Sequence, residues 1–158
     1  MREIEVADVE SMFQLNSDWD VMKYTGYISF GSLQQARVFI KKYPGYEKNG
    51  FERNAVILKG KGEFLGWCEL KKLQDGTVDI GYRFLKRNWN KGYATESAKA
   101  MLGCGFRNYD ITEVIGSAAE ENISSVRVSE KPGMSFVCEK DYNGLKNAVS
   151  YTILKTTF

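Results

Sequence analysis

A chain of 158 residues, 43% hydrophobic and 27% charged, has the length for one domain around one core and an ordinary globular composition. Its net charge of +2 creates no large field, no apolar run nears the roughly 20 residues of a membrane span, and MREIEVADVE lacks the apolar stretch of a signal peptide; no nucleic acid or membrane partner is expected, and a cytoplasmic location is. With no histidine and three well-separated cysteines, Cys68, Cys104 and Cys138, the chain offers no Ser–His or Cys–His nucleophile, no histidine metal site, no zinc spacing and no disulfide framework, so no metal is expected.

In chain order, residues 2–6 suit a short first strand, and residues 8–16 place Val9, Met12, Phe13 and Leu15 at helical spacing behind the candidate cap Asp8. Residues 17–31 mix Trp19, Tyr24, Tyr27 and Phe30 with turn formers and have no clean period, which predicts a loop with partial helix. A second helix starts at the cap Ser32, runs through Ala36, Phe39, Ile40 and Tyr43, and ends at Pro44-Gly45. After a loop over 46–53 come strands at 54–59 and 63–72, joined by Gly60-Lys61-Gly62, and Gln74-Asp75-Gly76 turns the chain into a third. These three form an antiparallel meander. A strand over 113–118 is reached through a helix, which predicts parallel pairing with the third. Asn122 opens a short helix with Ile123 and Val126 inward, and Pro132 stops it near Glu130. Strands at 134–140 and 148–155 flank a turn at 141–146. The order β-α-α-β-β-β-α-β-α-β-β, with no linker or repeat, predicts an α+β fold on a mostly antiparallel sheet.

The stretch from Asp79 to Phe106 is the one the others serve. Val78, Ile80, Tyr82 and Phe84 alternate against Asp79, Gly81 and Arg83, the period of a strand with one apolar face. After Gly92 the period becomes helical, with Ala94, Ala98, Met101, Leu102, Gly105, Phe106 and Tyr109 on one stripe. Between the two lies a basic, amide-rich turn, Lys86 to Lys91, feeding a helix N-terminus. The first N–H groups of a helix have no partner within it and lie at the positive end of its dipole, which favours phosphate. Gly92 lacks a Cβ and Ala94 is small, so an anion can approach the main chain closely, with Lys91 and Arg87 adding charge at the rim.

Trp89-Asn90-Lys91-Gly92-Tyr93-Ala94 resembles the Gln/Arg-x-x-Gly-x-Gly/Ala turn with which the GNAT N-acetyltransferases bind the pyrophosphate of acetyl-CoA. Trp89 departs from the general pattern, but the longer run WNKGYATE is similar to the branch that acetylates ribosomal-protein N-termini on serine or alanine. Downstream, Asn122, Ser125, Arg127, Val128, Glu130, Lys131 and Gly133 match a second run of that branch, with Pro132 a departure.

The resemblance implies a single GNAT domain over 1–158: a mostly antiparallel sheet of about six to seven strands, helices on both faces, and a splayed parallel pair at its centre. It implies acetyl-CoA as cosubstrate. Its pantetheine would add along Tyr82, Arg83 and Phe84 as a surrogate strand, and its pyrophosphate would meet Asn90, Lys91, Gly92, Tyr93, Ala94 and Thr95. Asn122 would hold the pantetheine arm or order the loop beside it, although capping its own helix explains it as well. The Tyr that often protonates the departing thiolate falls on Ser129, leaving Ser125 and Ser129 as candidate donors. The family's frequent Glu base falls on Ser117 and is absent, which leaves Asp79, preferred, and Glu69 as candidate bases.

The expected reaction is acetyl transfer to a primary amine. The acceptor is either a peptide N-terminus or a small molecule such as a polyamine, an antibiotic or a metabolite; the alternative outside catalysis is a CoA-binding module without turnover. A homodimer is left open. The acceptor pocket is expected among Trp19, Tyr24, Tyr27 and Tyr46, with Asp18, Asp20, Glu47 and Glu52 able to attract a cation, although the aromatics serve equally as cover for the sheet. An acidic floor would favour a polyamine, and an open groove a peptide.

Overall fold

Strand β3 (Phe64–Lys72) is buried along most of its length, and its apolar residues switch faces at one point. In its pairing with β2 (Arg53–Ile57), Val56 faces Gly66 while Ile57 faces Phe64, so Leu65 is left over as a bulge. That extra residue sends Phe64 and Trp67 into one core cluster and Leu65, Cys68 and Leu70 into the other. The sheet therefore has two apolar faces to cover. The computed structural model describes residues 1–42, 51–142 and 145–158.

Seven strands form one sheet among the described residues, in the order β1-β2-β3-β4-β5-β7-β6. The remaining strands are β1 (Arg2–Glu3), β4 (Val78–Phe84), β5 (Glu113–Ala119), β6 (Ser135–Tyr142) and β7 (Leu145–Leu154). Among the described strands only β4 and β5 run parallel. Helices α1 (Val9–Ser17) and α3 (Leu33–Lys41) cover one face, where Met12 and Leu15 meet Ala55, Phe64 and Trp67. The other face carries α4 (Tyr93–Asn108), with Ala98, Met101, Leu102 and Phe106 against Ile80, Val114 and Ile153. Val126 and Val128 of α5 (Ile123–Glu130) join that cluster. The expected mixed sheet, helices on both faces and central parallel pair are all present.

Four details differ from expectation. First, β1 ends at Glu3, because Val6–Asp8 forms a 3-10 turn. Second, Asp8 stands at the N-cap of α1 without capping it. Its carboxylate accepts from Arg2 Nη1 and Nη2 at 2.7 and 2.8 Å and from the Glu5 N–H at 2.9 Å, which ties the first strand to the turn. Third, Ile123 is 55% exposed; Val126 is inward as expected, and Val128 joins it in place of Ile123. Fourth, β6 and β7 run further toward each other than the 141–146 turn allowed. Residues 17–31 contain the partial helix expected, α2 (Trp19–Met22), capped by Asp18 accepting from the Asp20 N–H at 2.9 Å. Ser32 caps α3 through the Gln35 N–H at 3.2 Å. Tyr43, the Pro44-Gly45 stop, Tyr46 and Glu47 lie outside the described residues, as do Asn143 and Gly144. Cys68, Cys104 and Cys138 are free thiols, and burial pushes the Cys68 thiol up. Among the described residues no helix is long and apolar enough to cross a membrane.

Candidate active site

The parallel pair shares a single rung, Asp79 opposite Ile115. Beyond it β5 is committed to β7, from Glu113 against Leu154 to Ala119 against Ala148, while β4 stays with β3 up to Phe84 against Gly66. The two strands therefore part. The gap is a cleft of about 630 Å³ that reaches from Trp89 and Gly92 at one end to Tyr27, Asp79 and Tyr142 at the other.

The first end is built by the turn after β4. Trp89 Nε1 donates to the Phe84 carbonyl at 2.8 Å, Asn88 N–H to the Leu85 carbonyl at 2.8 Å, and Asn88 Nδ2 to the Leu65 carbonyl at 3.2 Å. Asn90 (φ 58°) and Gly92 (φ 84°) are both left-handed, and together they swing the chain into α4. A Cβ on Gly92 would meet nothing within 4 Å. The first helical bond runs from the Glu96 N–H to the Gly92 carbonyl at 3.0 Å, so the N–H groups of Tyr93, Ala94 and Thr95 find no acceptor among the described residues. Lys91 is exposed beside them. Arg87, expected at this rim, instead reaches Glu63 Oε1 at 3.4 Å and Gln14 Oε1 at 3.2 Å.

Mid-cleft, the Tyr82 hydroxyl crosses from β4 to α5, donating to the Ser125 carbonyl at 2.9 Å and lying 2.9 Å from Ser125 Oγ. Burial pushes its pKa up to about 12, so it is a neutral phenol at physiological pH. Asn122 Oδ1 accepts from the Ser125 N–H at 3.3 Å, the cap its position predicted. Ser129 is only 3% exposed and its hydroxyl turns back to the Ser125 carbonyl at 3.5 Å, while Ser125 is half-buried on the cleft wall. Ser117 shares a hydrogen bond with Ser150 at 3.0 Å. Of the three β4 residues expected to present edge groups, Phe84 has its carbonyl occupied by Trp89, and Tyr82 and Arg83 remain beside the gap. Sequence reading assigned Tyr82 through its backbone alone; a phenol meeting a serine 43 residues on leaves no trace in local pattern.

At the far end, Asp79, Gly81 and Arg83 look toward the α1–α2 face together with Trp67 and Glu69 of β3. A Cβ on Gly81 would come within 3.1 Å of Glu69 Oε1, so glycine leaves room for that carboxylate. Arg53 forks Glu69, Nε to Oε2 at 2.9 Å and Nη2 to Oε1 at 3.0 Å, with its guanidinium 3.8 Å over the Trp67 ring. Asp79 has no such partner: among the described residues its Oδ1 is buried outside hydrogen-bonding geometry, as is the nearby Tyr142 hydroxyl. Burial pushes the Asp79 carboxyl up to about 7; the charge of Glu69 adds to the rise, and Lys71 and Tyr142 oppose it. Burial, with Asp79 adjacent, also raises the Tyr142 phenol. These placements separate the two candidate bases, one locked in an ion pair and one poised to titrate near neutrality.

The expected acceptor residues divide. Tyr24 and Tyr27 line the cleft, whereas Trp19 is 72% exposed and outside its lining. Asp18 is spent on capping α2, and Asp20 holds Lys86 at 2.5 Å, which lowers its own pKa. No cluster of metal-ligating side chains occurs among the described residues.

Residues 1–135 match the family model described as an acetyltransferase (GNAT) domain. The uncharacterized N-acetyltransferase YnaD of Bacillus subtilis (strain 168) is 34% identical over 135 residues, covering 85% of this chain and 77% of its own length. In three dimensions the chain is similar to a GNAT-family acetyltransferase from Bacillus anthracis, with 32% identity and a TM-score of 0.84 over 98% of this chain and 93% of that one. A spermidine N-acetyltransferase from Vibrio cholerae, solved in complex with CoA and spermine, shares the fold at a TM-score of 0.82 and 17% identity, over 99% of this chain and 95% of its own.

Proposed function

The chain belongs to the GNAT acetyltransferase family and is an acetyl-CoA-dependent acyltransferase, and we propose that it acetylates a primary amine, a peptide N-terminus, delivered to the Asp79 end of the cleft. One observation carries the reading: β4 and β5 meet at Asp79–Ile115 alone and part toward a helix end whose Tyr93, Ala94 and Thr95 amides have no partner among the described residues. A pyrophosphate is suited to those amides with Asn90, Lys91 and Gly92 around it, and an amide-bearing pantetheine to the β4 edge at Tyr82 and Arg83, with Asn122 across the gap. Tyr27, exposed and lining the cleft, gives an extended acceptor chain an apolar surface.

Most of the rate in such a transfer comes from holding two bound partners together. The amine must be neutral to attack, and Asp79, directly or through water, takes its proton. The nitrogen lone pair attacks the thioester carbonyl, the new C–N bond forms as the C–S bond breaks, and the leaving thiolate receives a proton. Ser125 is the better placed donor, since its hydroxyl lies on the cleft wall and is backed by the Tyr82 phenol, whereas Ser129 is deeper. Calorimetry with acetyl-CoA, followed by thiol release across peptide and small amines, tests the reading. Failure to bind acetyl-CoA refutes it; binding without thiol release from any amine replaces it with a CoA-binding module.

A further inference from the structure

Among the described residues, the acceptor end of the cleft holds a cation, Arg83, without an ion-paired carboxylate. Arg83 lies over the Trp67 ring at 5.2 Å and near Tyr27 at 5.9 Å, and it lines the cleft. Its Nη1 donates to Asn16 Oδ1 and to Met22 Sδ, the latter at 3.2 Å. Both acceptors are neutral, and no carboxylate among the described residues lies within ion-pair distance of it. The donors on Nε and Nη2 have no acceptor among the described residues. That edge is the one Arg53, its neighbour on the same face, uses to fork Glu69.

A guanidinium taken out of water and given only neutral partners is costly to the fold, and the cost is recovered when an anion arrives. Burial and the adjacent Arg53 lower the Arg83 pKa to about 10, which still leaves it charged at neutral pH. The charge of Glu69 acts on Arg83 in the opposite direction, but without an ion pair between them. Glu69 is matched by Arg53, Asp20 by Lys86, and Asp79 is half-protonated near neutrality. Arg83 thus places a positive charge on the described lining of the acceptor end, where a polyamine site would need the reverse.

We propose that Arg83 is a specificity-determining residue that forks a carboxylate carried by the acceptor itself, so that the preferred substrate is an amine with an acidic group several bonds from its nitrogen. This rests on the acetyltransfer reading and names its substrate class. Spacing supports the separation: four residues of strand rise put the backbones of Asp79 and Arg83 about 13 Å apart. An α-amino acid, with its amine and carboxylate on one carbon, is too short to serve both. A peptide with an acidic second residue, or a longer ω-amino acid, is long enough. The planar fork is also what distinguishes arginine from lysine at such a site.

The test uses one amine with its neighbour varied: Ser-Glu, Ser-Gln and Ser-Lys peptide amides, then 5-aminopentanoate against its amide, with spermidine as the cationic control. Wild-type protein should show kcat/KM about tenfold higher for each carboxylate member than for its amide, a charge-assisted fork being the stronger bond. Arg83→Met should bring that ratio to about one, chiefly through KM, and Arg83→Lys should keep part of it. The peptide and small-acid arms tell the two sources apart. Equal use of acid and amide by wild type, a preference that survives Arg83→Met, or a preference for spermidine overturns the proposal. Acetyl-CoA titrations of wild type and variant run alongside. No acetyl-CoA binding by wild type refutes the acetyltransfer reading itself. If acetyl-CoA binds but no probe turns over, Ser-Glu amide binding to the CoA-loaded protein decides: loss in Arg83→Met upholds the anion site, and equal binding removes it.

Discussion

The indole N–H of Trp89 donates to the Phe84 carbonyl at 2.8 Å, tying the turn that leads into α4 to the last residue of β4. The bond closes the corner that aims the N-terminus of α4 into the parted strands. It also removes one acceptor from the edge where a surrogate strand would lie.

Trp89→Phe keeps the ring and loses this bond. The indole is 39% exposed, so water can reach the freed carbonyl and the stability cost should be modest, about 1 kcal/mol. Acetyl-CoA affinity should fall several-fold because the turn is no longer pinned. Urea unfolding and calorimetry read the two effects; unchanged affinity would mean that the corner holds its shape without the tie.

At Gly92, two substitutions separate strain from obstruction. With φ at 84° and open space where a Cβ would sit, Gly92→Ala costs left-handed strain of about 1–2 kcal/mol and meets no clash. Asparagine tolerates that conformation better, so Gly92→Asn should recover much of the stability while still crowding the amides of Tyr93 and Ala94. Both should weaken acetyl-CoA at least tenfold. Were Gly92→Asn to restore affinity together with stability, close phosphate approach at this residue would be wrong.

Asp79→Asn should remove a rising limb near pH 7 from kcat/KM, since Asp79 becomes a base only as it loses its proton at about 7. The deficit should shrink at alkaline pH, where an N-terminal amine of pKa about 8 deprotonates unaided. Stability moves the opposite way. The native carboxyl keeps a proton that the unfolded chain releases near its ordinary 3.8, so wild-type stability should decline as pH rises from about 4 to about 7. In Asp79→Asn that decline should flatten. Identical pH–rate profiles would dismiss Asp79 as the base.

Glu69→Gln strands Arg53. The pair is largely out of water, with side chains 14% and 8% exposed, so breaking one side should cost about 3 kcal/mol by urea unfolding. Combining it with Arg53→Met should recover most of that loss. Removing the charge of Glu69 also relieves Asp79, whose activity limb should move to lower pH. A limb that stays in place would show that burial alone sets Asp79.

Much of this was legible in local pattern. The alternation of Val78, Ile80, Tyr82 and Phe84 ends at the bounds found for β4, Gly92 stands where α4 begins, Asn122 caps α5, and Pro132 follows its end. Each of these depends on a residue and its near neighbours in the chain, where backbone geometry dictates side-chain direction. Ile123 shows the limit. A helix of two turns has too few residues to fix which side is inward, and the packing of α5 beside β4 and α4 kept Val126 inward as expected but took Val128 in place of Ile123.

The chemistry of the cleft was settled at longer range. Tyr82 reaching Ser125, Arg53 claiming Glu69 and leaving Asp79 alone, and Arg83 meeting Asn16 join residues 43, 16 and 67 positions apart. Those meetings depend on strand register, on the bulge at Leu65 and on where β5 leaves β4 for β7, none of which is written in the period of any one segment. The sequence alone determined which elements form and where the glycine turn into α4 lies, because those are properties of contiguous backbone. Only the tertiary structure decided which of two acidic residues is held by an arginine and which of two arginines lacks a carboxylate among the described residues, because charge and burial are set by neighbours that folding brings in from elsewhere.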